Sequence, residues 1–188
     1  MKTTIGAQTC LYPMPTTLVG ANVNGKPNYI TIAHAGLMSA GCIALSINKV
    51  RYTNAGIKEN ESFSVNIPSV EMVKETDYCG LVSGKDVDKA ELFETFYGKL
   101  GTAPMIQECP INMECRLIQT IDFPKHYGFI GEIVETYCDE QCLTEGVVDF
   151  SKVQPILLIR NDQSYWKLGD RFAKAWDVGK QLEVQKSS

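Results

Sequence analysis

Hydrophobic and polar side chains alternate with a period of two along most of this chain. Cys42-Ile43-Ala44-Leu45-Ser46-Ile47-Asn48 sets large residues against small ones, and Ser62-Phe63-Ser64-Val65-Asn66-Ile67 sets serine and asparagine against apolar residues. Both are the signature of strands with two unlike faces. Residues 16–21 and 29–33 are β-branched runs on either side of Asn24-Gly25, two residues that tolerate positive φ and so predict a hairpin. Residues 112–118, 127–134 and 156–160 extend the same strand pattern.

Helical spacing is confined to short pieces. Thr53 can cap residues 54–58 and Ser69 can cap residues 70–75, while 86–97 carries apolar side chains at 92, 93, 96 and 97. Leu168, Phe172, Ala175 and Trp176 predict a C-terminal helix docked on the core. Strands do not alternate with helices, and no Gly-x-Gly-x-x-Gly follows a strand, which argues against a doubly wound nucleotide-binding sheet. The expectation is a mostly antiparallel β fold with helices covering its ends. Neither repeats nor linkers divide the chain, so 1–188 reads as one domain with a loose tail from about residue 185.

Composition narrows the function. Eighteen basic against 22 acidic side chains leave a net charge of −4, with no dense Lys/Arg cluster. Nucleic acid and anionic membrane surfaces are therefore not expected partners. Met1-Lys2-Thr3 opens no signal peptide and no apolar run approaches the roughly 20 residues of a membrane span, so a cytoplasmic location is expected. Seven scattered cysteines form no Cys-x-x-Cys and no zinc spacing, so no metal site is expected. Cys138 and Cys142 would share a face if their segment were helical, a candidate redox pair whose plainer reading is a surface turn.

The richest stretch is Thr76-Asp77-Tyr78-Cys79-Gly80-Leu81-Val82-Ser83-Gly84-Lys85-Asp86-Val87-Asp88-Lys89. A glycine-flanked turn presents a hydroxyl and an amine, and Lys89 follows one turn later if Asp86 starts a helix. Hydroxyl, backbone N–H and two ammoniums could then converge on one phosphate. The same letters also describe a helix start with solvated charges.

Four segments, taken in order and spacing over roughly residues 12–180, carry a resemblance: Pro27-Asn28-Tyr29-Ile30-Thr31-Ile32-Ala33; Ser46-Ile47-Asn48 with Arg51-Tyr52-Thr53; residues 76–89; and Glu108-Cys109-Pro110-Ile111-Asn112-Met113-Glu114-Cys115. His126 followed by Phe129-Ile130-Gly131-Glu132-Ile133, and the ending 165–179, fit as well. The chain resembles the flavin reductase-like family of FMN-binding split barrels, most closely its flavoredoxin branch. The resemblance implies an antiparallel Greek-key split β-barrel with a few short peripheral helices. It also implies non-covalently bound FMN, with FAD the alternative. Thr31, Ile32, Ala33, Ser46, Ile47 and Asn48 would lie along the isoalloxazine and ribityl chain, Arg51, Tyr52, Thr53, Ser83, Lys85 and Lys89 would gather round the phosphate, and Asn28 and Gly84 would also bind the cofactor. Charge-assisted donors suit a dianion, and a flat apolar slot suits the ring.

Where many members of the family place tryptophan after the second strand, this chain has His34. His126 stands where a family histidine faces the nicotinamide or substrate side. No side chain is required as acid or base. NAD(P)H would be the reductant, a small molecule or redox protein the acceptor, and a homodimer the assembly. Two alternatives stay open: an electron carrier with no direct NAD(P)H activity, and a non-redox binding module.

Overall fold

Asn24 and Gly25 take φ of 51° and 75°, the left-handed turn their side chains tolerate, and fold β1 (Thr17–Val23) onto β2 (Lys26–Ile32). In this computed structural model, which describes residues 1–182, that hairpin opens a seven-stranded antiparallel sheet. β3 (Ala35–Ser39) pairs with β4 (Cys42–Asn48), β5 (Ser62–Ile67) follows helix α1 (Thr53–Asn60), and β6 (Ile111–Asp122) pairs with β7 (His126–Cys138). Across the sheet the order is β2-β1-β5-β6-β7-β4-β3.

This order has a geometric consequence. β2 and β3 are the two edges, yet only Ala33 and His34 separate them in the chain. Six inter-strand steps laid flat would span roughly 29 Å at about 4.8 Å each. A two-residue link reaches only about 10 Å. The sheet must therefore roll until its edges approach, and β2 comes against β4. No ladder joins those edges, so the result is a split barrel, as the resemblance implies.

The period-two pattern then sorts side chains. Val19, Ala21, Ile30, Ile32, Ile43, Leu45, Ile47, Phe63, Val65, Cys115 and Phe129 point inward and are buried with Ile57 of α1. Gly131 of β7 leaves room for this packing, since a Cβ there would lie 2.4 Å from Cζ of Phe63. Outside, Leu18 and Tyr29 pack with Cys79 of α2 (Val73–Leu81) and with Ile106 and Cys109 in a second core. The strand 62–67 is buried on both faces rather than one. Its polar row is tied to the segment before β6: Ser62 to Thr102 at 2.7 Å, Ser64 to the Pro104 carbonyl, and Ile106 N to Asn66 Oδ1 at 3.2 Å.

A smaller sheet joins Met14–Pro15 to β8 (Ile156–Ile159) and β9 (Ser164–Lys167). Tyr165 of β9 donates to Asp77 of α2 at 2.8 Å.

Several local expectations are corrected. Residues 86–97 form no helix beyond a 3₁₀ turn at Lys89–Leu92, capped by Asp88. Neither Thr53 nor Ser69 makes a capping bond: Tyr52 precedes α1 without one, and Ser69 precedes a 3₁₀ turn that leads into α2. α2 itself runs on to Leu81, through residues read as a turn. No helix forms at 168–176, where Phe172 and Trp176 stand in water. Cys138 ends β7 and Cys142 closes a 3₁₀ turn, with both thiols reduced. The expected tail from residue 185 lies outside the described residues. No helix among the described residues is long and apolar enough to cross a membrane.

Glu114 anchors the 97–104 loop from inside. Its carboxylate is wholly buried and accepts from Lys99 N, Leu100 N and the Tyr137 hydroxyl, all at 2.8 Å. Glu114→Ala strands three donors and is expected to cost about 3 kcal/mol or more. Urea unfolding checks this; an unshifted midpoint would show that water replaces the carboxylate without loss.

Candidate functional site

β4 ends in a tight turn. Arg51 N donates to Asn48 O at 3.0 Å, Val50 N to Asn48 Oδ1 at 3.2 Å, and Asn54 Nδ2 to Asn48 O at 2.8 Å. The turn sets Arg51 and Tyr52 at the head of α1 beside β2, where Asn28 Nδ2 donates to Thr53 Oγ1 at 2.7 Å. The loop after α2 arrives from the other side. Asp86 N and Val87 N both bond Ser83 O at 3.1 Å, and Lys85 N bonds Ser83 Oγ at 3.2 Å. Gly84 comes so close that a Cβ would lie 2.0 Å from Asn28 Oδ1 and 3.0 Å from Tyr52 Cδ1. Only glycine fits there. Asn28, Tyr52, Gly84, Lys85 and Lys89 thus share a cleft of about 380 Å³ with Lys26, Asp86 and Asp88.

Lys89 is the unusual member. It is 3% exposed, and its ammonium donates to the carbonyls of Cys79 at 3.2 Å and Val82 at 3.3 Å. Among the described residues it pairs with no carboxylate. Burial pushes it below the ordinary lysine value; the Cys79 thiol opposes that push and the Arg51 guanidinium adds to it. Asp86 and Asp88 line the same cleft but neither pairs with Lys89, so its desolvated ammonium is left to neutral carbonyls, an arrangement that suits a bound anion. Asn28 Oδ1 is buried without a donor beneath Gly84.

A second feature adjoins it. On β4 the odd residues are buried in the barrel, so Ala44, Ser46 and Asn48 face outward, half-buried. Register sets Gly36 of β3 opposite Ala44, and Gly128 and His126 of β7 opposite Ser46 and Asn48. Gly36 and Ala44 carry no more than a methyl group and keep the patch low, while at Gly128 the Phe123 ring lies over the strand, 3.1 Å from where a Cβ would stand. His34 and His126 flank it with ring centroids 6.4 Å apart, and His34 O accepts from Ser46 N at 2.9 Å. Partial burial, then Arg160 and His126, hold His34 below the ordinary histidine value, which favours the neutral ring.

The predicted residues therefore fall into groups. Asn28, Tyr52, Gly84, Lys85 and Lys89 line the cleft, with Arg51, Thr53 and Ser83 their chain neighbours; Ser46, Asn48 and His126 share the outer patch. Thr31 turns away, donating to the Thr76 carbonyl beneath α2, where Gly80 packs against it. Ile32 and Ile47 put their side chains into the barrel core and Ala33 is half-buried in the edge link. Gly36, Ala44 and Gly128 were missed as site residues. The alternation of large and small residues along 42–48 was the signal that could have found the middle one.

A model of the flavin reductase like domain matches residues 9–164. The chain belongs to the flavin reductase-like family. Among solved structures it is similar to a flavoredoxin from Methanosarcina acetivorans, at 49% identity and TM-score 0.94, over 97% of this chain and all of that one. A flavoredoxin of Desulfovibrio vulgaris (Miyazaki F) matches at 36% identity and TM-score 0.89, over 95% of this chain and all of that one. An FMN-binding protein from Thermus thermophilus, 20% identical with TM-score 0.78 over 93% of this chain and 97% of its own, shares the fold alone.

Within this family fold, Lys89 makes a pH prediction. Unfolding returns its amine to the ordinary value of 10.5, so between the depressed value and 10.5 the unfolded chain binds the extra proton and stability rises with pH. Relative to Lys89→Met, the wild type should gain stability from pH 7 towards 10.5, measured by denaturant unfolding without ligand. A flat difference would mean that the ammonium is not desolvated.

Proposed function

We propose that this chain is an FMN-binding flavoprotein of the flavin reductase and flavoredoxin type, which passes reducing equivalents from NAD(P)H or a redox partner to a small-molecule or protein acceptor. The observation that carries the reading is the buried Lys89 ammonium, held only by carbonyls beside Arg51, at a cleft where Gly84 lets the backbone approach. Arg51, Lys85 and Lys89 supply charge-assisted donors for a phosphate, and the hydroxyls of Ser83 and Thr53 add neutral ones. The row Ala44, Ser46 and Asn48, with the Phe123 ring over Gly128 beside it, offers a planar ring a bed that shields one face from water. FAD in place of FMN would meet the same phosphate donors.

When bound, FMN accepts a hydride and returns electrons to an acceptor. The chain's own part is to fix the ring against the β4 row and to keep its phosphate end anchored. His126, beside that row, is placed to orient an amide or substrate carbonyl, with His34 in the position where many members of the family carry tryptophan. Residues of the barrel need not move a proton. A homodimer and a cytoplasmic setting complete the reading.

The electron-carrier alternative is favoured by one observation, the 49% identity to a protein named a flavoredoxin. Steady-state turnover with NADH and NADPH separates it from a reductase: turnover far below carrier-mediated reduction would remove direct NAD(P)H use. The cofactor itself is tested by the visible spectrum after FMN is added and the protein desalted. A retained, perturbed flavin spectrum is expected, and a colourless protein would leave only the binding-module reading.

Lys85→Ala with Lys89→Ala should weaken FMN far more than riboflavin. Each lost charge-assisted contact, at about 1.5–3 kcal/mol, corresponds to roughly tenfold to a hundredfold in affinity. Equal weakening of both ligands would refute the phosphate assignment.

A further inference from the structure

The turn after β8 brings a cation to the edge of the outer patch. Thr17 of β1 stands opposite Ile32 of β2, so the residues before Thr17 run beside the Ala33-His34 link. Thr16 N donates to the Ile156 carbonyl at 3.0 Å, and Met14 pairs with Leu158. β8 therefore flanks that link from the far side. Arg160 follows β8 directly, is exposed, and bears with its charge on the His34 ring, as His126 does.

Arg160 has no counter-charge of its own. Among the described residues it forms no ion pair. Asp162, the acid two residues on, accepts from Ser164 N at 3.2 Å and from the Ser164 hydroxyl, and Asp122, in the turn before His126, is held by Lys49. One guanidinium and two imidazoles thus border one rim of the patch, the histidine rings 6.4 Å apart. The rim continues in an aromatic ring. Phe123 donates its backbone N–H to the His126 carbonyl at 3.0 Å, lies over Gly128 and is 49% exposed.

A guanidinium offers a carboxylate or sulfonate two parallel N–H donors, and neutral imidazoles add N–H donors of their own. We propose that Arg160, with His34 and His126, recognises an anionic group on the electron acceptor, so that the protein favours small planar organic acids, such as sulfonated or carboxylated quinones, over their neutral parents. The anion is held and stays unchanged. The quinone takes two electrons from reduced flavin, gains two protons and leaves as the hydroquinone, while the flavin returns to its oxidised form. This redox step rests on the flavoprotein reading above, whereas the anion site itself does not.

Two measurements test it. The chain has two histidines, so proton NMR follows both rings through their Cε1–H signals, assigned with His34→Gln. In flavin-free protein benzoate is expected to move both signals and benzamide neither. Arg160→Gln should abolish the benzoate response, and Arg160→Lys should keep part of it, because the charge remains and the fork is lost. The His34 titration should also move up in Arg160→Gln, since a cation that opposes its protonation is gone. No benzoate response in the parent, or one that survives Arg160→Gln, overturns the site.

In flavin-loaded protein, reoxidation by naphthoquinone sulfonate relative to the parent naphthoquinone should fall about tenfold in Arg160→Gln, the size of one charge-assisted contact. An unchanged ratio overturns the acceptor assignment. A loss confined to NADPH relative to NADH overturns it as well and gives the anion to the donor. A chain that keeps no flavin yet answers benzoate removes the flavoprotein reading and leaves the anion site standing.

Discussion

The two residues between β2 and β3 constrain everything else. Ala33 and His34 join strands that lie at opposite edges of a seven-strand order, and no flat sheet can satisfy so short a link. Rolling satisfies it, and in doing so carries the end of β2 to the side of β4 and puts His34 within 6.4 Å of His126 on β7. Arg51 then follows β4 by three residues and lands next to the loop after α2. Cleft and outer patch are neighbours because the barrel closes where it does, although their residues are scattered from 28 to 128.

How much of this was legible follows from what periodicity reports. Alternation in 42–48 and 62–67 located two strands to the residue, and Asn24-Gly25 located the first hairpin, because these signals are local. Period two assigns alternate residues to opposite faces but does not say what covers each face. Hence Ser62, Ser64 and Asn66 read as solvent-facing, yet they are buried under the 102–106 segment, and Ile32 and Ile47, counted with the flavin residues, fill the core. The failure at 86–97 has a different cause. The apolar spacing there is real, but Lys89 is drawn inward to the Cys79 and Val82 carbonyls and Asp88 caps a turn at Ala90, so tertiary contacts override helical propensity. At 168–176 helical spacing marked apolar side chains correctly, but the segment forms no helix and leaves Phe172 and Trp176 exposed.

Glu114 and Lys89 are both buried charges, and their surroundings separate structure from function. Glu114 meets two backbone N–H groups and a tyrosine hydroxyl, a set that matches a carboxylate's lone pairs and leaves it with a purely structural task. Lys89 meets two neutral carbonyls and a neighbouring guanidinium that repels it. Desolvating an ammonium without a counter-charge costs stability, so the fold carries a deficit that a bound anion would cancel. That inequality singles out the cleft more sharply than the cleft's size, since the groove between residues 144–154 and 168–173 is larger.

On the flavin reading, the two halves of the site make unequal demands on a ligand. The cleft is specific, because charge and a glycine-only approach must both be matched. The patch of Gly36, Ala44 and Ser46 is permissive, since small side chains fit any planar ring and cover one face only. Affinity should then reside at the phosphate end, while the choice of donor and acceptor passes to whatever stands over the open face, where His34 and His126 are the nearest titratable groups. On that division, a change in what borders the open face, His34 and His126 first, would alter the redox partner without rebuilding the barrel.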